Sequence, residues 1–294
     1  MRGVALGGAW LSAQGFASPR DLLVQTLELG FSAILPAPGV RPIRWEELAT
    51  ELGDLPIRIP ALRVESIYGR EEGSLASSHE EDFQRVRSRL ARAASLARCL
   101  HTRLLILEAP TVGLIGDPLP DSDLRGPASI SADRYLAIVA RVRAQRDGHL
   151  ESCCRSLYLL ASEFPDFQLC LSESADLCSL SQPSDLELLM SDLSRFGLAY
   201  WHRPALVARR ASYGGIEHGE TLELLSRFLV GSDLSDADDS GLQSLPGSGI
   251  VDYGLISPYM RGIRTALPTV LELDPATHTR DLRHATGYLE RFGL

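Results

Sequence analysis

Short apolar runs alternate with longer amphipathic segments along this chain. A short apolar run bounded by turn signals is typical of a buried strand, and the amphipathic segments have the spacing of helices that pack on a sheet. Eight such units fill the 294 residues, and no linker or change of composition divides them. The predicted strands cover residues 4–7, 32–36, 58–65, 103–108, 167–173, 198–202, 228–233 and 269–273.

The intervening segments predict the helices and, with the strands, the fold class. Predicted helices cover residues 19–29, 45–52, 80–100, 132–163, 184–195, a segment ending at 227, 253–264 and 279–291. Eight strand-then-helix units make a closed (β/α)8 barrel, so residues 1–294 are predicted to form one α/β barrel domain. An open doubly wound sheet is the alternative, but it usually carries a glycine-rich phosphate turn, for which Gly7 and Gly8 are too few.

Composition excludes several classes of function. The chain has 29 basic and 38 acidic residues, for a net charge of -9, whereas nucleic-acid binding needs a concentrated basic surface. It contains no lysine, which excludes a lysine Schiff base and a Walker-type phosphate loop. No apolar run reaches the ~18 residues of a membrane span. From the net charge and from the absence of such a run, we expect neither nucleic acid nor membrane as a partner. Oligomeric state cannot be inferred from these patterns.

The cysteines and the N-terminus bear on location. Five cysteines, an odd number without a CxxC pair, argue for a reducing compartment and against disulfides or a thiolate zinc site. The apolar run near the N-terminus resembles a weak signal peptide, but glycines interrupt it and it leads into a helix start at Ser18 and Pro19. We therefore expect a cytoplasmic protein.

Polar residues follow the predicted strands of the second half. Glu173, His202, Asp233 and Glu272 each stand at or near a strand end. The carboxyl ends of parallel strands meet at one face, which is where α/β barrels hold their chemistry. The sequence therefore predicts that these side chains converge at the barrel mouth.

Two segments carry a family resemblance. Residues 232–238 read Ser-Asp-Leu-Ser-Asp-Ala-Asp, and residues 245–253 read Leu-Pro-Gly-Ser-Gly-Ile-Val-Asp-Tyr. They resemble the His-Leu-Lys-Asp segment and the Pro-Gly-x-Gly-x-(Val/Ile)-Asp-(Phe/Tyr) loop of the xylose isomerase-like TIM barrels. That superfamily includes sugar phosphate isomerases, ketose epimerases, inosose dehydratases and apurinic-site endonucleases. The resemblance implies a barrel that acts on a small carbohydrate-like molecule.

The resemblance also implies a divalent metal ion, Mn, Mg or Zn, held by Glu, Asp, His and Glu at the ends of the fifth to eighth strands. Glu173 matches the first ligand and Glu272 the last, and both match the acid/base pair that moves a proton beside a sugar carbonyl. The middle ligands differ, because Trp201 and His202 stand near the position of the Asp and Asp233 stands at that of the His. Asp236 matches an acidic residue that supports the family's site.

Two interpretations of this departure remain open. In the first, the site is rewired and Glu173, His202, Asp233 and Glu272 together hold the ion, since converging carboxylates are costly to bury without a cation. In the second, the metal site is lost. Alternation along a strand favours the second, because His202 is one position off and Trp201 would occupy the space of the metal.

Three further residues are candidates for contact with a substrate. Glu65 and Glu108 end the third and fourth strands, where they would bind substrate or form salt bridges at the rim. Trp10 would stack on a sugar ring or pack beneath a loop.

The predicted function is a carbohydrate isomerase or epimerase that acts by proton transfer at a metal site. The alternative is an inactive barrel that binds a ligand or a protein. An apurinic-site endonuclease is less favoured, because the sequence lacks a histidine-rich cluster and a basic groove.

Overall fold

The computed structural model describes residues 4–15, 18–36, 45–53, 55–64, 73–113, 122–125, 130–261 and 267–294, and it confirms the predicted (β/α)8 barrel. Eight parallel strands lie in the order β2-β1-β10-β7-β6-β5-β4-β3. They are β1 Val4–Gly7, β2 Ile34–Leu35, β3 Leu62–Arg63, β4 Leu104–Glu108, β5 Gln168–Ser172, β6 Ala199–His202, β7 Leu229–Leu234 and β10 Thr269–Leu271. A parallel bridge between Ala33 and Arg58 joins the two ends of the sheet, so the barrel closes.

The helices predicted from the sequence are present, the structure adds the short helix Gly8–Ala13 after β1, and predicted helix 279–291 begins with a 3-10 turn, Thr279–Asp281. Two further differences concern the middle of the chain. Predicted helix 184–195 ends in a 3-10 turn, Ser194–Phe196, and the segment before residue 227 forms two helices instead of one. The described helices are α1 Gly8–Ala13, α2 Pro19–Glu28, α3 Trp45–Leu52, α4 Glu80–Cys99, α5 Ala132–Glu163, α6 Pro183–Leu193, α7 Pro204–Ser212, α8 His218–Leu225, α9 Tyr253–Arg261 and α10 Leu282–Glu290. Within these ranges, no helix is long and apolar enough to cross a membrane.

A short hairpin follows β7. Residues 235–249, a polar loop in the sequence, contain the antiparallel strands β8 Asp236–Asp238 and β9 Gly241–Ser244. Asp236 is fully buried and accepts hydrogen bonds from the backbone N–H groups of Ala237 at 2.9 Å, Gly247 at 3.0 Å and Val251 at 2.8 Å. Asp236 therefore holds the loop after the hairpin in place.

The interior of the barrel is built from small side chains around one large one. Trp201 is fully buried there, and in β7 its register partner is Gly231, where a Cβ atom would overlap the indole ring. The inner core consists of Ala5, Ala33, Leu35, Ala61, Ile106, Cys170, Ala199, Trp201 and Val270. Four alanines and a facing glycine thus leave room for the indole to fill the barrel.

Alternation along the strands carries this inward pattern to the carboxyl ends. Side chains two residues apart on a strand face the same side. Arg63 follows Ala61 by two residues, Glu108 follows Ile106, and Glu272 follows Val270. Asp233 is the register partner of Val270 and faces inward with it. These four charged residues therefore end the inward-facing rows at the mouth of the barrel.

Candidate active site

A polar pocket lies at the carboxyl ends of the strands, where TIM barrels hold their active sites. Its cavity of about 140 Å³ is lined by three carboxylates, two arginines and residues of the hairpin. The lining residues are Ala9, Arg63, Glu108, Arg203, Ala205, Leu206, Asp233, Ser235, Leu242, Gln243 and Glu272. We refer to this cavity as the inner pocket.

Asp233 stands at the centre of the charged contacts in the inner pocket. Its Oδ1 accepts hydrogen bonds from Arg63 Nη2 and, at 2.8 Å, from Trp201 Nε1. Its Oδ2 lies 3.3 Å from Arg203 Nε. Both oxygens of this buried carboxylate therefore face N–H donors.

Glu272 is held less tightly. Its Oε1 lies 3.7 Å from Arg63 Nε, which is longer than a hydrogen bond. Gly7 makes room for it, because a Cβ atom there would lie 2.7 Å from Glu272 Oε2. Burial raises the pKa of Glu272 to about 7, with Asp233 adding to the rise and Arg63 partly offsetting it. This carboxyl group therefore exchanges its proton near neutral pH.

Two arginines supply the positive charge of the pocket. Burial by itself would lower the pKa of Arg63, but the negative charges of Asp233, Glu272 and Glu108 outweigh it and the pKa is raised. The Nη1 atom of Arg63 is buried and has no hydrogen-bond partner among the described residues. Arg203 donates from Nη1 to Glu108 Oε1 at 3.1 Å. The pocket thus pairs two fixed cations with three carboxylates, one of which titrates near neutrality.

Glu173 and His202 lie on the other side of the sheet. The Tyr200 hydroxyl donates to Glu173 Oε1 and lies 2.6 Å from His202 Nδ1. His202 Nε2 in turn lies 2.9 Å from His218 Nε2, at the start of α8. The ring of Tyr200 packs in the core between strands and helices, not in the barrel interior. We refer to Glu173, Tyr200, His202 and His218 as the outer cluster.

Hydrogen bonds set the charge states in the outer cluster. Burial would raise the pKa of Glu173, but the neighbouring His202 imidazole and the hydrogen bond from Tyr200 outweigh burial, so the pKa lies below its usual value. The Arg203 backbone N–H adds a donor to Glu173 Oε2 at 3.1 Å. Burial beside His202 lowers the pKa of His218 to about 2, so its imidazole is neutral at physiological pH. The outer cluster is thus a closed network around one ionised carboxylate.

The residues of the predicted metal site do not fit a divalent ion. The set of Glu173, His202, Asp233 and Glu272 is divided between the two sides of the sheet, because a shift of one residue along a strand turns a side chain to the other face. Within the described ranges, no group of three or more His, Cys, Asp or Glu side chains is arranged to hold a metal. The oxygens of Asp233 already face Arg63, Trp201 and Arg203.

The remaining predicted residues have different environments. Glu108 lines the inner pocket and pairs with Arg203. Trp10 is 1% exposed and donates from Nε1 to the Thr277 carbonyl at 2.8 Å, so its ring is packed and not available for stacking on a sugar. Glu65 lies outside the described residues.

Sequence reasoning missed the two arginines of the pocket. Arg63 lies inside the predicted third strand, whose predicted site residue is Glu65 at the strand end, and Arg203 follows the sixth strand. The available signal was periodicity, since Arg63 stands two residues after a buried alanine and Arg203 two residues after Trp201. The partners of Arg63 could not be read from the sequence, because Asp233 lies 170 residues away along the chain.

Comparison with known proteins bears on the fold. No protein-family profile and no curated protein sequence matches the chain. Similar solved structures include a 3-keto-D-glucoside 4-epimerase from E. coli, with a TM-score of 0.68 and 12% identity over 99% of this chain and 100% of that one. An L-ribulose 3-epimerase has a TM-score of 0.64 and 13% identity over 98% of this chain and 86% of that one.

A third similar structure widens the range of chemistry found on this architecture. An AP endonuclease of family 2 from Brucella melitensis has a TM-score of 0.67 and 13% identity over 98% of this chain and 99% of that one. At such identities the likeness concerns the backbone, and one fold supports many functions. The chain therefore has the fold of the xylose isomerase-like (β/α)8 barrels.

Proposed function

We propose that this protein is a carbohydrate isomerase that moves a proton between neighbouring carbons of a small sugar or sugar-like hydroxycarbonyl compound, with Glu272 as the base. The observation that carries the proposal is the state of Glu272. It lines the inner pocket, its distance to Arg63 exceeds a hydrogen bond, and its pKa is raised to about 7. A general base is most effective when its pKa lies near the working pH.

The chemistry requires one carboxylate that can take and return a proton. Ionised Glu272 removes the proton from the carbon beside the carbonyl, and the electrons of that C–H bond form the double bond of an enediolate. Negative charge then develops on the former carbonyl oxygen. The same carboxyl group returns the proton to the neighbouring carbon, and the hydroxyl proton passes to the oxygen that began as the carbonyl.

The arrangement of the other carboxylates favours isomerisation over epimerisation. Inverting a carbon requires removal of a proton from one face and its return on the opposite face, and therefore a second acid. Glu173, the partner predicted from sequence, belongs to the outer cluster, and its carboxylate is held by Tyr200. Asp233 and Glu108 each accept a hydrogen bond from an arginine. The inner pocket is therefore better suited to transfer by a single base along one face of the substrate.

A second candidate is a barrel that binds a carbohydrate-like ligand without turnover. It is favoured by Trp201, which fills the barrel centre and donates to Asp233. The Asp233 carboxylate already faces three N–H donors in the empty pocket, so it would add little stabilisation that is specific to a transition state. In that case the same lining residues would bind a polar ligand, and Glu272 would have no proton to move.

Deuterium exchange distinguishes the two candidates. The wild type is incubated in heavy water with a panel of aldoses, ketoses and inososes, and incorporation at carbon is followed by NMR. We expect exchange with at least one compound, and a loss of roughly 10²–10⁴-fold in Glu272→Gln, which keeps the shape but removes the base.

The matched control is Glu290→Gln, at the exposed end of α10, which should leave exchange unchanged. Exchange that survives Glu272→Gln would contradict the assigned base. Calorimetric binding of a sugar without exchange would favour the second candidate.

A further inference from the structure

We infer that the guanidinium group of Arg63 takes the place of a divalent cation in the inner pocket, so that the site handles negative charge on a ligand oxygen with a fixed organic cation. The part concerning the cation stands on the geometry of the pocket. The part concerning the ligand oxygen rests on the proposed function.

The position of Arg63 supports the first part. It reaches the pocket from the inner side of β3 and is 6% exposed. Its Nη2 donates to Asp233 and its Nε lies 3.7 Å from Glu272. These two carboxylates end neighbouring strands, β7 and β10. One guanidinium thus contacts the two carboxylates that converge at this point, which is the place a bound cation would need.

The charge balance indicates why a metal ion would compete poorly. The pocket contains Glu108, Asp233 and Glu272 against Arg63 and Arg203. A divalent ion would bring the positive charges to four against three negative ones. It would also have to displace the N–H donors that face both oxygens of Asp233. Buried charges are costly when uncompensated, so the two guanidiniums stabilise the carboxylates and exclude a further cation.

One buried donor of Arg63 is unsatisfied within the described parts of the chain. Nearly all buried polar groups in proteins have a partner, but Arg63 Nη1 has none among the described residues. The side chain lines the cavity in which a ligand would lie. A ligand oxygen that gains negative charge, as a carbonyl oxygen does during enolisation, would be stabilised by this cation.

Manganese titration tests the cation. Calorimetry on the purified full chain, without chelator, should show no saturable binding of Mn²⁺ to the wild type. Arg63→Ala and the more conservative Arg63→Gln should each gain saturable binding, at least about 10-fold tighter than any wild-type signal, because the carboxylates lose their built-in cation. Adding Glu272→Gln to either variant should remove the gain. Arg63→Lys keeps the charge and is the matched control, which should gain nothing.

Two results would overturn this part. One is saturable Mn²⁺ binding by the wild type that disappears in Glu272→Gln. The other is a folded Arg63→Gln or Arg63→Ala, checked by its thermal melt, that binds Mn²⁺ no better than the wild type. Should both variants fail to fold, the Mn²⁺ titration of the wild type and its binding of glycolohydroxamate, with and without EDTA, still test the inference.

Glycolohydroxamate, a small analogue of an enediolate, tests the ligand. The wild type should bind it equally well with and without EDTA, and Arg63→Gln should bind it about 10- to 100-fold more weakly, the cost of losing a charged hydrogen-bond donor. Binding that requires added Mn²⁺, or no binding at all, would overturn this part.

The outcomes separate this inference from the proposed function. Exchange that depends on Mn²⁺ would keep the isomerase and reject Arg63 as the cation. Absence of exchange, together with metal-independent binding of glycolohydroxamate, would keep Arg63 as the cation and reject the isomerase.

Discussion

The inner pocket and the outer cluster each contain a buried carboxylate near the carboxyl end of the barrel, but the two groups behave differently. Glu173 is 2% exposed and Glu272 is 7% exposed. The pKa of Glu173 is nevertheless lowered and that of Glu272 raised. Glu173 accepts direct hydrogen bonds, whereas Glu272 neighbours a second carboxylate and lies 3.7 Å from its cation. Direct donors, not the extent of burial, decide which carboxylate can exchange a proton.

A single strand, β6, contributes to both regions. Tyr200 and His202 face the outer cluster, whereas Trp201, between them, faces the barrel interior and donates to Asp233. The sheet therefore separates two polar networks built from adjacent residues. The inner network is open to a cavity and the outer one is closed by helix α8.

At neutral pH the largest effect is expected from Trp201→Ala. The substitution empties the barrel centre and removes a donor from Asp233, so the free energy of unfolding should fall by about 3–5 kcal/mol. Urea unfolding measures this change. The control is Leu159→Ala at a site 45% exposed in α5, expected to stay within about 0.5 kcal/mol of the wild type. If Trp201→Ala lowered the free energy of unfolding no more than the control does, the indole would not be stabilising the barrel interior.

Acid should weaken the outer cluster through His218. Its pKa is lowered from 6.5 to about 2, so the folded state favours the neutral imidazole. This contribution is present above pH 6.5 and is lost as the pH falls, by up to about 1.4 kcal/mol per pH unit. The stability of the wild type relative to His218→Gln should therefore be constant above pH 6.5 and decrease below it, as urea unfolding across the range would show. A constant difference throughout would mean that the pKa of His218 is the same in the folded and the unfolded protein.

The inner pocket should respond to pH in the opposite direction. The pKa of Glu272 is raised from 4.5 to about 7, so its contribution to stability is fully present below pH 4.5 and is lost as the pH rises through 7. Between these values the wild type should lose up to about 1.4 kcal/mol per pH unit relative to Glu272→Gln. Denaturation curves of both proteins measure the difference. If the stability of the wild type relative to Glu272→Gln instead rose with pH, Arg63 would be holding Glu272 in its ionised form.

The smallest effect is expected from Tyr200→Phe. The variant removes the hydroxyl donor of Glu173 without changing the packing volume, at a cost of about 1–3 kcal/mol in unfolding free energy. The loss should be greatest at neutral pH, where Glu173 is ionised, and smaller in acid, where the lost donor matters less. Tyr158→Phe, at a site 43% exposed, is the control. Equal losses at both pH values would show that the hydroxyl does not stabilise the ionised form of Glu173.

The fold was predictable because its signals are local. Apolar runs and amphipathic segments identified all eight strands and every described helix between them except the short α1. What the pattern could not predict was the hairpin β8–β9, which depends on the buried hydrogen bonds of Asp236 to backbone groups up to 15 residues away. Long-range contacts of this kind leave no period in the sequence.

The site was predictable only in part. Asp233, Glu272 and Glu108 line the inner pocket, at strand ends that the sequence identified. Glu173 lies elsewhere, because the inward row of β5 runs through Cys170 to Ser172 and the next residue turns away. Counting two residues from a buried interior position, instead of taking the last residue of the apolar run, would have placed it correctly.

By itself, the sequence determined the barrel, the order of its elements and which strand ends carry charge, since each of these follows from hydrophobic periodicity and turn chemistry. Only the tertiary structure decided which charges meet. Arg63 and Asp233 are 170 residues apart in the chain, and their contact exists because the closed barrel brings β3 and β7 to one mouth. Within that barrel, alternation along β6 points Trp201 inward and His202 outward, so a ligand set that reads as one group in the sequence becomes two networks separated by a sheet.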